Sequence, residues 1–253
     1  MGRVIDKTVE ILRQVASQEH CTLKSLCLVT GSKKSALCQQ LHSMAANGLL
    51  LRDLRGEYHL GPLFTDLAAR REEKILLRKT AESVATDLNT ACGENITIAT
   101  LRNGKYRRLY SCSSFKITRL TAEAPDEERF YGNATGRVLL AEAPAELRLR
   151  IIDSLGLPDP ADWPEGAADS ESLLAELEKI RRQGYAEVRL PRRTDCYIAS
   201  GVPRCNAGLP VAVGIGVPQA RYERTKFLEL LRQALRRFEY ITQSQSKGGK
   251  KDV

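Results

Sequence analysis

The sequence predicts an α+β protein in two parts, and three observations carry that reading. In residues 1 to 61, three helical segments are followed by two short extended runs around a tight turn, the order of a winged helix-turn-helix. From about residue 76 onward, helices interleave with strand-like runs, which makes a mixed sheet domain. The stretch between them, 62 to 75, opens a nearly continuous charge-rich helix and reads as a connection. The expected layout is therefore 1–61, a connecting helix 62–75, a sheet domain 76–243, and a polar, disordered tail 244–253.

Each element has its own signal. Val4, Thr8, Ile11, Leu12 and Val15 recur at helical spacing. TLKSLCLVTG follows, with Thr22 to cap the second helix and Gly31 to stop it. In GSKKSALCQQLHSMAANG, Ser32 is placed to cap the third helix, Leu37, Leu41 and Met44 line one face, and Asn47-Gly48 ends it. LLLRD and EYHL are short extended runs around Arg55-Gly56. Further on, ENITIATLRNGKYRRLYSC places Asn-Gly between two strands, the strongest short hairpin signal. Helices are expected over 135–142 and 145–155, broken by Pro144, and over 171–183, ending at Gly184. The Pro/Gly/Asp-rich stretch 157–170 reads as an exposed loop. YAEVRL, CYIASGV and LPVAVGIGV read as strands, and a last amphipathic helix is expected over 221–242.

Composition excludes several classes. The 253 residues are 42% hydrophobic and 28% charged, which suits a globular protein with a proper core. No run approaches the roughly 20 apolar residues of a membrane span, and the charged start MGRVIDKTVE lacks a secretion signal, so a cytoplasmic protein is expected. Seven scattered cysteines with no C-x-x-C pair argue against a disulfide framework and a zinc site, and for a reducing compartment. Only three histidines occur, at 20, 42 and 59, so no metal or other cofactor is expected. None lies beyond residue 61, which leaves the sheet domain without an imidazole base, so an enzyme is not expected either. The net charge of +8 favours a polyanionic partner.

Four stretches together resemble the IclR family of bacterial transcription regulators over nearly the whole chain. They are EYHLGPLFTDLA after the wing, YGNATGRVLLAEAP, LLAELEKIRRQGYA, and CYIASGVPRCNAGLPVAVGIGVP. The second is similar to the family's H-x-T-A-S-G-K-A-L-L-A. The resemblance implies an N-terminal winged helix that binds promoter DNA and a C-terminal GAF-like domain that binds a small, often carboxylate-bearing, effector. It also implies a homodimer or homotetramer acting as repressor or activator.

On the third helix, the residues turned away from the leucines are Lys33, Lys34, Ser35, Cys38, Gln39 and His42, with Ser32 at its start. Lysines in a first turn reach phosphate, and a glutamine can pair with an adenine edge. Arg52 and Arg55 flank the wing turn and can clamp the backbone. The alternative is a solvated face on a winged helix used for protein contacts alone. Residues 1 to 61 carry eight Lys/Arg against five Asp/Glu, and the family's Lys-Ser-Thr followed by arginine is here Lys34-Ser35-Ala36 and then Gln39, with Gln40 at a usual leucine.

For the effector, the resemblance implies Gly132, Asn133, Ala134, Thr135 and Gly136 at a helix start, Cys196 on one strand, and Gly214 and Gly216 on another. Amides at a helix start attract an anion. Glycines at 214 and 216, where the family often has serine, are expected to remove hydroxyl donors and widen the cavity. Arg189, Arg192 and Arg193 replace an acidic run; they either clamp an anion or form a basic surface loop. A larger aromatic or sugar-derived acid suits these departures, as does loss of effector response.

Overall fold

A computed structural model describes residues 2–116, 130–189, 195–202 and 209–248. The chain divides into two compact units, Met1–Lys74 and Ile75–Val253.

The first unit is a winged helix-turn-helix. It comprises α1 (Gly2–Ser17), α2 (Leu23–Thr30), α3 (Lys34–Ala46), the hairpin β1 (Leu50–Arg52) and β2 (Tyr58–Leu60), and the start of α4 (Pro62–Cys92). Thr22 caps α2 in a reciprocal box with Ser25, and Gly31 turns the chain at φ 59°. Ser32 does not cap α3. Lys33 holds that position without a side-chain cap, while the Ser32 hydroxyl accepts a bond from the Lys7 ammonium at 3.0 Å. A long cation in α1 wins the hydroxyl that local sequence would assign to the helix. The core holds Ile11, Val15, Cys21, Leu26, Leu37, Leu41, Met44, Leu50 and Tyr58, so α1, α2, α3 and both wing strands contribute. Gln40 adds a polar tie, its amide donating to the Thr8 hydroxyl at 3.1 Å. Gly61 ends the wing because a side chain there would run into the Gly48 carbonyl.

The nearly continuous helix expected from residue 62 is α4, whose residues from Leu77 to Leu88 supply its buried side. The second unit is a five-stranded antiparallel sheet in the order β4-β3-β7-β6-β5. Its strands are β3 (Asn95–Arg102), β4 (Lys105–Cys112), β5 (Tyr185–Arg189), β6 (Asp195–Val202) and β7 (Val211–Pro218). Asn103 and Gly104 turn the β3–β4 hairpin at φ 52° and 73°, as Asn-Gly predicts. One face of the sheet packs on α4 and α8 (Arg224–Gly248) through Val84, Leu88, Cys196, Ile198, Val213, Ile215, Leu231 and Phe238. The other carries α5 (Ala134–Glu142), with α6 (Ala145–Leu155) and α7 (Ser170–Gln183) outside it.

Two expectations change here. The tail is helical through Gly248, because Gln and Lys propagate a helix already nucleated and no breaker precedes the glycines. The Pro-rich loop is not simply exposed: Trp163 within it is 2% exposed, followed by a short 3-10 turn, Pro164–Gly166. The chain's only tryptophan has too much apolar area to leave in water.

At the α4–β3 junction, the buried Glu94 carboxylate meets Lys116 Nζ at 2.7 Å and Arg221 Nε and Nη2 at 2.8 and 2.9 Å. Burial alone would raise its pKa, but the Arg221 and Lys116 bonds outweigh it and hold the carboxyl below its ordinary value. The stability this contributes is present above the unfolded-state pKa and is lost as pH falls through the folded one. Glu94→Gln is expected to cost about 1–3 kcal/mol at neutral pH, as both cations keep some water. In melts at stepped pH, the gap from the parent should close in acid; a gap unchanged there would dissociate it from the carboxylate's charge.

Candidate nucleic-acid interface and effector region

The α3 surface divides as the apolar periodicity requires. Leu37, Leu41 and Met44 are buried, whereas Lys33, Lys34, Ser35, Cys38, Gln39 and His42 are exposed along the opposite side. Ser32 is half-buried at the margin. Lys33 offers no acceptor to the first-turn amides, which leaves them for an outside oxygen.

The wing is built around Asp53. Its Oδ1 accepts from the Arg55 and Glu57 amides at 3.0 and 2.8 Å, and Gly56 closes the turn at φ 83°. The bond from the Glu57 amide, above all, holds this carboxyl below its ordinary pKa. Arg55 is exposed at the tip beside Leu54, and the Arg52 guanidinium lies 5.7 Å from the Tyr58 ring centre. The sequence reading overlooked Asp53, Glu57 and His59, whose metal-ligating atoms all lie within 4.8 Å of one another. The spacing in DLRGEYH hides this until the hairpin register is known.

The residues expected to line an effector site do not all meet. Ala134, Thr135 and Gly136 begin α5 and are buried, and Thr135 shares a 3.0 Å hydrogen bond with the Tyr106 hydroxyl. Gly214 does not widen a cavity. A β-carbon there would come within 2.6 Å of Thr135 Cγ2, so its missing side chain is the space into which α5 settles. Gly216 is buried and lies on the same sheet face as Gly214, two residues away. Cys196 lies on the other face, in the α4–α8 core, so its side chain does not join Thr135 and Gly214. Burial pushes its thiol up to about 11, which keeps it protonated and inert. Arg189 pairs with Cys196 across the strands and shares its face; the exposed guanidinium meets Glu187 at 2.7 Å and lies 5.5 Å from the Tyr222 ring centre. It is a surface ion pair rather than a clamp at α5. Arg192 and Arg193 fall outside the described residues. Gly132 stands at the entry to α5, where an added β-carbon would lie 3.8 Å from the Asp162 carboxylate. Asn133 holds the cap position without a capping bond.

Arg137 is the residue in this region that sequence reasoning missed. It is 6% exposed; Nε donates to the Tyr131 carbonyl at 2.6 Å and Nη2 to the Asp162 carbonyl at 2.7 Å, and the guanidinium stacks 4.0 Å from the Trp163 ring centre. Burial draws its pKa down to about 10, so it remains charged at neutral pH. It thereby staples the 157–166 loop to the segment that enters α5. A cleft of about 730 Å³ lies elsewhere in this unit, between the β3–β4 turn and α6, lined by Lys105, Arg107, Phe130, Leu147, Arg150 and Ile151 among others. Among the described residues no helix is long and apolar enough to cross a membrane.

Residues 72–239 match the family described as bacterial transcriptional regulator IclR, C-terminal. The chain belongs to the IclR family. It is a transcription regulator rather than an enzyme. The HTH-type transcriptional regulator KipR of Bacillus subtilis (strain 168) is 23% identical over 216 residues, 85% of either chain. KdgR of Escherichia coli (strain K12), also an HTH-type transcriptional regulator, is 22% identical over 182 residues, 72% of this chain and 68% of its own. Among solved structures, an IclR homologue from Microbacterium hydrocarbonoxydans complexed with 4-hydroxybenzoate superposes with a TM-score of 0.57 at 21% identity, covering 95% of this chain and 99% of the other. The Thermotoga maritima IclR does so at 0.56 and 16%, covering 95% and 98%. These likenesses to solved structures establish the fold.

Gly214→Ala, which adds the missing carbon against Thr135, is expected to destabilise the protein by about 1–3 kcal/mol. Thr135→Ser deletes the opposing methyl yet keeps the hydroxyl for Tyr106, so it should recover most of that loss in the double variant. Urea melts of the four proteins in the cycle measure the coupling; additive losses would show that the two groups do not press on each other.

Proposed function

We propose that α3 and the wing read a specific operator, and that a small organic anion bound at the entry to α5 controls the affinity. One observation carries the first half. Three buried apolar anchors fix α3 while Lys33, Lys34, Ser35, Cys38, Gln39 and His42 stand exposed in a row that fits a major groove. Arg52 and Arg55 then supply backbone contacts from the wing. The modest net charge of this unit, +3 over residues 1 to 61, favours a dimer that presents two heads to two half-sites.

Support for the second half is chemical. Gly132 and Asn133 lead into a helix start whose amides favour negative charge, and Gly216 continues the small-residue sheet face beneath. The 4-hydroxybenzoate held by the Microbacterium hydrocarbonoxydans homologue is itself an aromatic carboxylate. The anion acts by binding one conformational state better than another.

Anisotropy titrations with duplex from upstream of the protein's own gene, over a range of salt, test the DNA face. Lys33→Ala with Lys34→Ala should weaken binding and flatten the salt slope by about 0.9 for each phosphate no longer neutralised. Unchanged affinity and slope would discard the assigned face.

A thermal-shift screen of aromatic and sugar-derived carboxylates tests the effector. A ligand at a hundredfold excess over its Kd stabilises by about 2.7 kcal/mol. Gly132→Val should abolish the shift, whereas Lys105→Ala with Arg150→Ala should preserve it. The reverse pattern would move the anion to the cleft beside α6.

A further inference from the structure

Two of the three histidines meet two wing carboxylates. Antiparallel pairing sets Leu51 opposite His59 and carries Asp53 opposite Glu57, and residues two apart share a face, so Asp53, Glu57 and His59 project together. His59 Nε2 lies 3.2 Å from Asp53 Oδ2. From a different element, the Cys21 carbonyl accepts the Tyr58 amide at 2.7 Å and draws the α1–α2 loop alongside β2. That places His20 Nδ1 at 3.2 and 3.1 Å from the two oxygens of Glu57.

We propose that Asp53, Glu57 and His59 bind one divalent transition-metal ion of the zinc class on the wing, with water completing its coordination and His20 orienting the Glu57 carboxylate from outside. A tetrahedral zinc site with bonds of about 2.0–2.1 Å holds its ligand atoms about 3.3 Å apart, so His59 Nε2 and Asp53 Oδ2, at 3.2 Å, already stand at ligand spacing, with Glu57 in the same group within 4.8 Å. One imidazole with two carboxylates brings a nitrogen into the donor set, which suits a borderline ion, whereas calcium and magnesium sites are made of oxygens. Asp53 is already aimed, because the Arg55 and Glu57 amides occupy Oδ1 and leave Oδ2 toward His59. The side chains of His59 and Asp53 are 43% and 31% exposed, which leaves the ion a path in from solvent. The ion also changes the wing's electrostatics. Asp53 and Glu57 cancel Arg52 and Arg55, and a bound dication restores positive charge. This last consequence rests on the duplex-binding reading above, whereas the ion site does not.

The test uses the full chain without DNA, with cobalt(II) as an optical probe and zinc(II) competed against a chromophoric chelator. One equivalent should bind, with visible cobalt bands and no intense near-ultraviolet thiolate band, since no cysteine belongs to the site. His59→Gln and His20→Gln, checked for folding by circular dichroism, should each weaken zinc by at least about tenfold. Glu10→Gln, an exposed acid elsewhere on α1, should not. Absence of cobalt bands, a thiolate band, or unchanged zinc affinity in His59→Gln overturns the site. In a second arm, zinc should tighten duplex binding by the parent and not by His59→Gln. Zinc bound at the wing with duplex affinity unaltered overturns its electrostatic role, and zinc binding by a chain that binds no duplex sinks the DNA reading instead.

Discussion

The close seating of α5 on its sheet is the constraint on which the second unit depends. All eight residues from Ala134 to Ala141 are buried, so α5 has no solvent face and touches protein all round. It fits only because the strands below it are smooth. Side chains at Gly201 and Gly214 would collide with Val138 and Thr135, and one at Gly136 would collide with the backbone of Phe130. The same strands carry Val213, Ile215 and Ile198 on their opposite face, where they pack with α4 and α8. Alternation in a strand thus turns glycines toward α5 and branched side chains toward α4 and α8. Once α5 is in place, its polar groups must find partners in the interior. Thr135 finds Tyr106, and the Arg137 guanidinium takes two carbonyls and the face of Trp163. A loop of prolines and aspartates is thereby recruited to complete a core.

The first unit solves the opposite problem, that of keeping a polar surface rigid. α3 rests on three apolar side chains, each worth about 2–5 kcal/mol against truncation to alanine. Gln40 and Ser32 secure its flank and its approach through Thr8 and Lys7 of α1. The exposed residues therefore ride on a fixed axis, which lowers the ordering cost when a groove is occupied. In the wing, Asp53 organises the turn with its backbone bonds, and its charge offsets the neighbouring arginines.

Much of this architecture was legible because it is local. Leu37, Leu41 and Met44 announce the buried stripe of α3 by their spacing, and Asn103-Gly104 announces a turn by the backbone angles it tolerates. Gly184 ends α7 for the same reason. The errors arose where a distant partner competed. Ser32 has the chemistry of a cap, but Lys7 lies twenty-five residues away in sequence and beside it in space. Cys196 belongs to a strand with both faces buried, and periodicity cannot say which face adjoins α5. Gly214 looks like an opening in sequence and is a point of close packing in the fold.

By itself, the order of residues determined the element types, their approximate ends and the winged-helix order, because these follow from short-range periodicity, capping and turn chemistry; the family came from the likeness of four stretches. Only the tertiary structure decided which polar groups are spent inside and which remain available. It drew Arg137 under Trp163 and brought His20 against Glu57 across thirty-seven positions of chain. The physical reason is that a hydrogen bond or charge pair depends on distance in space, and helix or strand propensity contains no term for that distance.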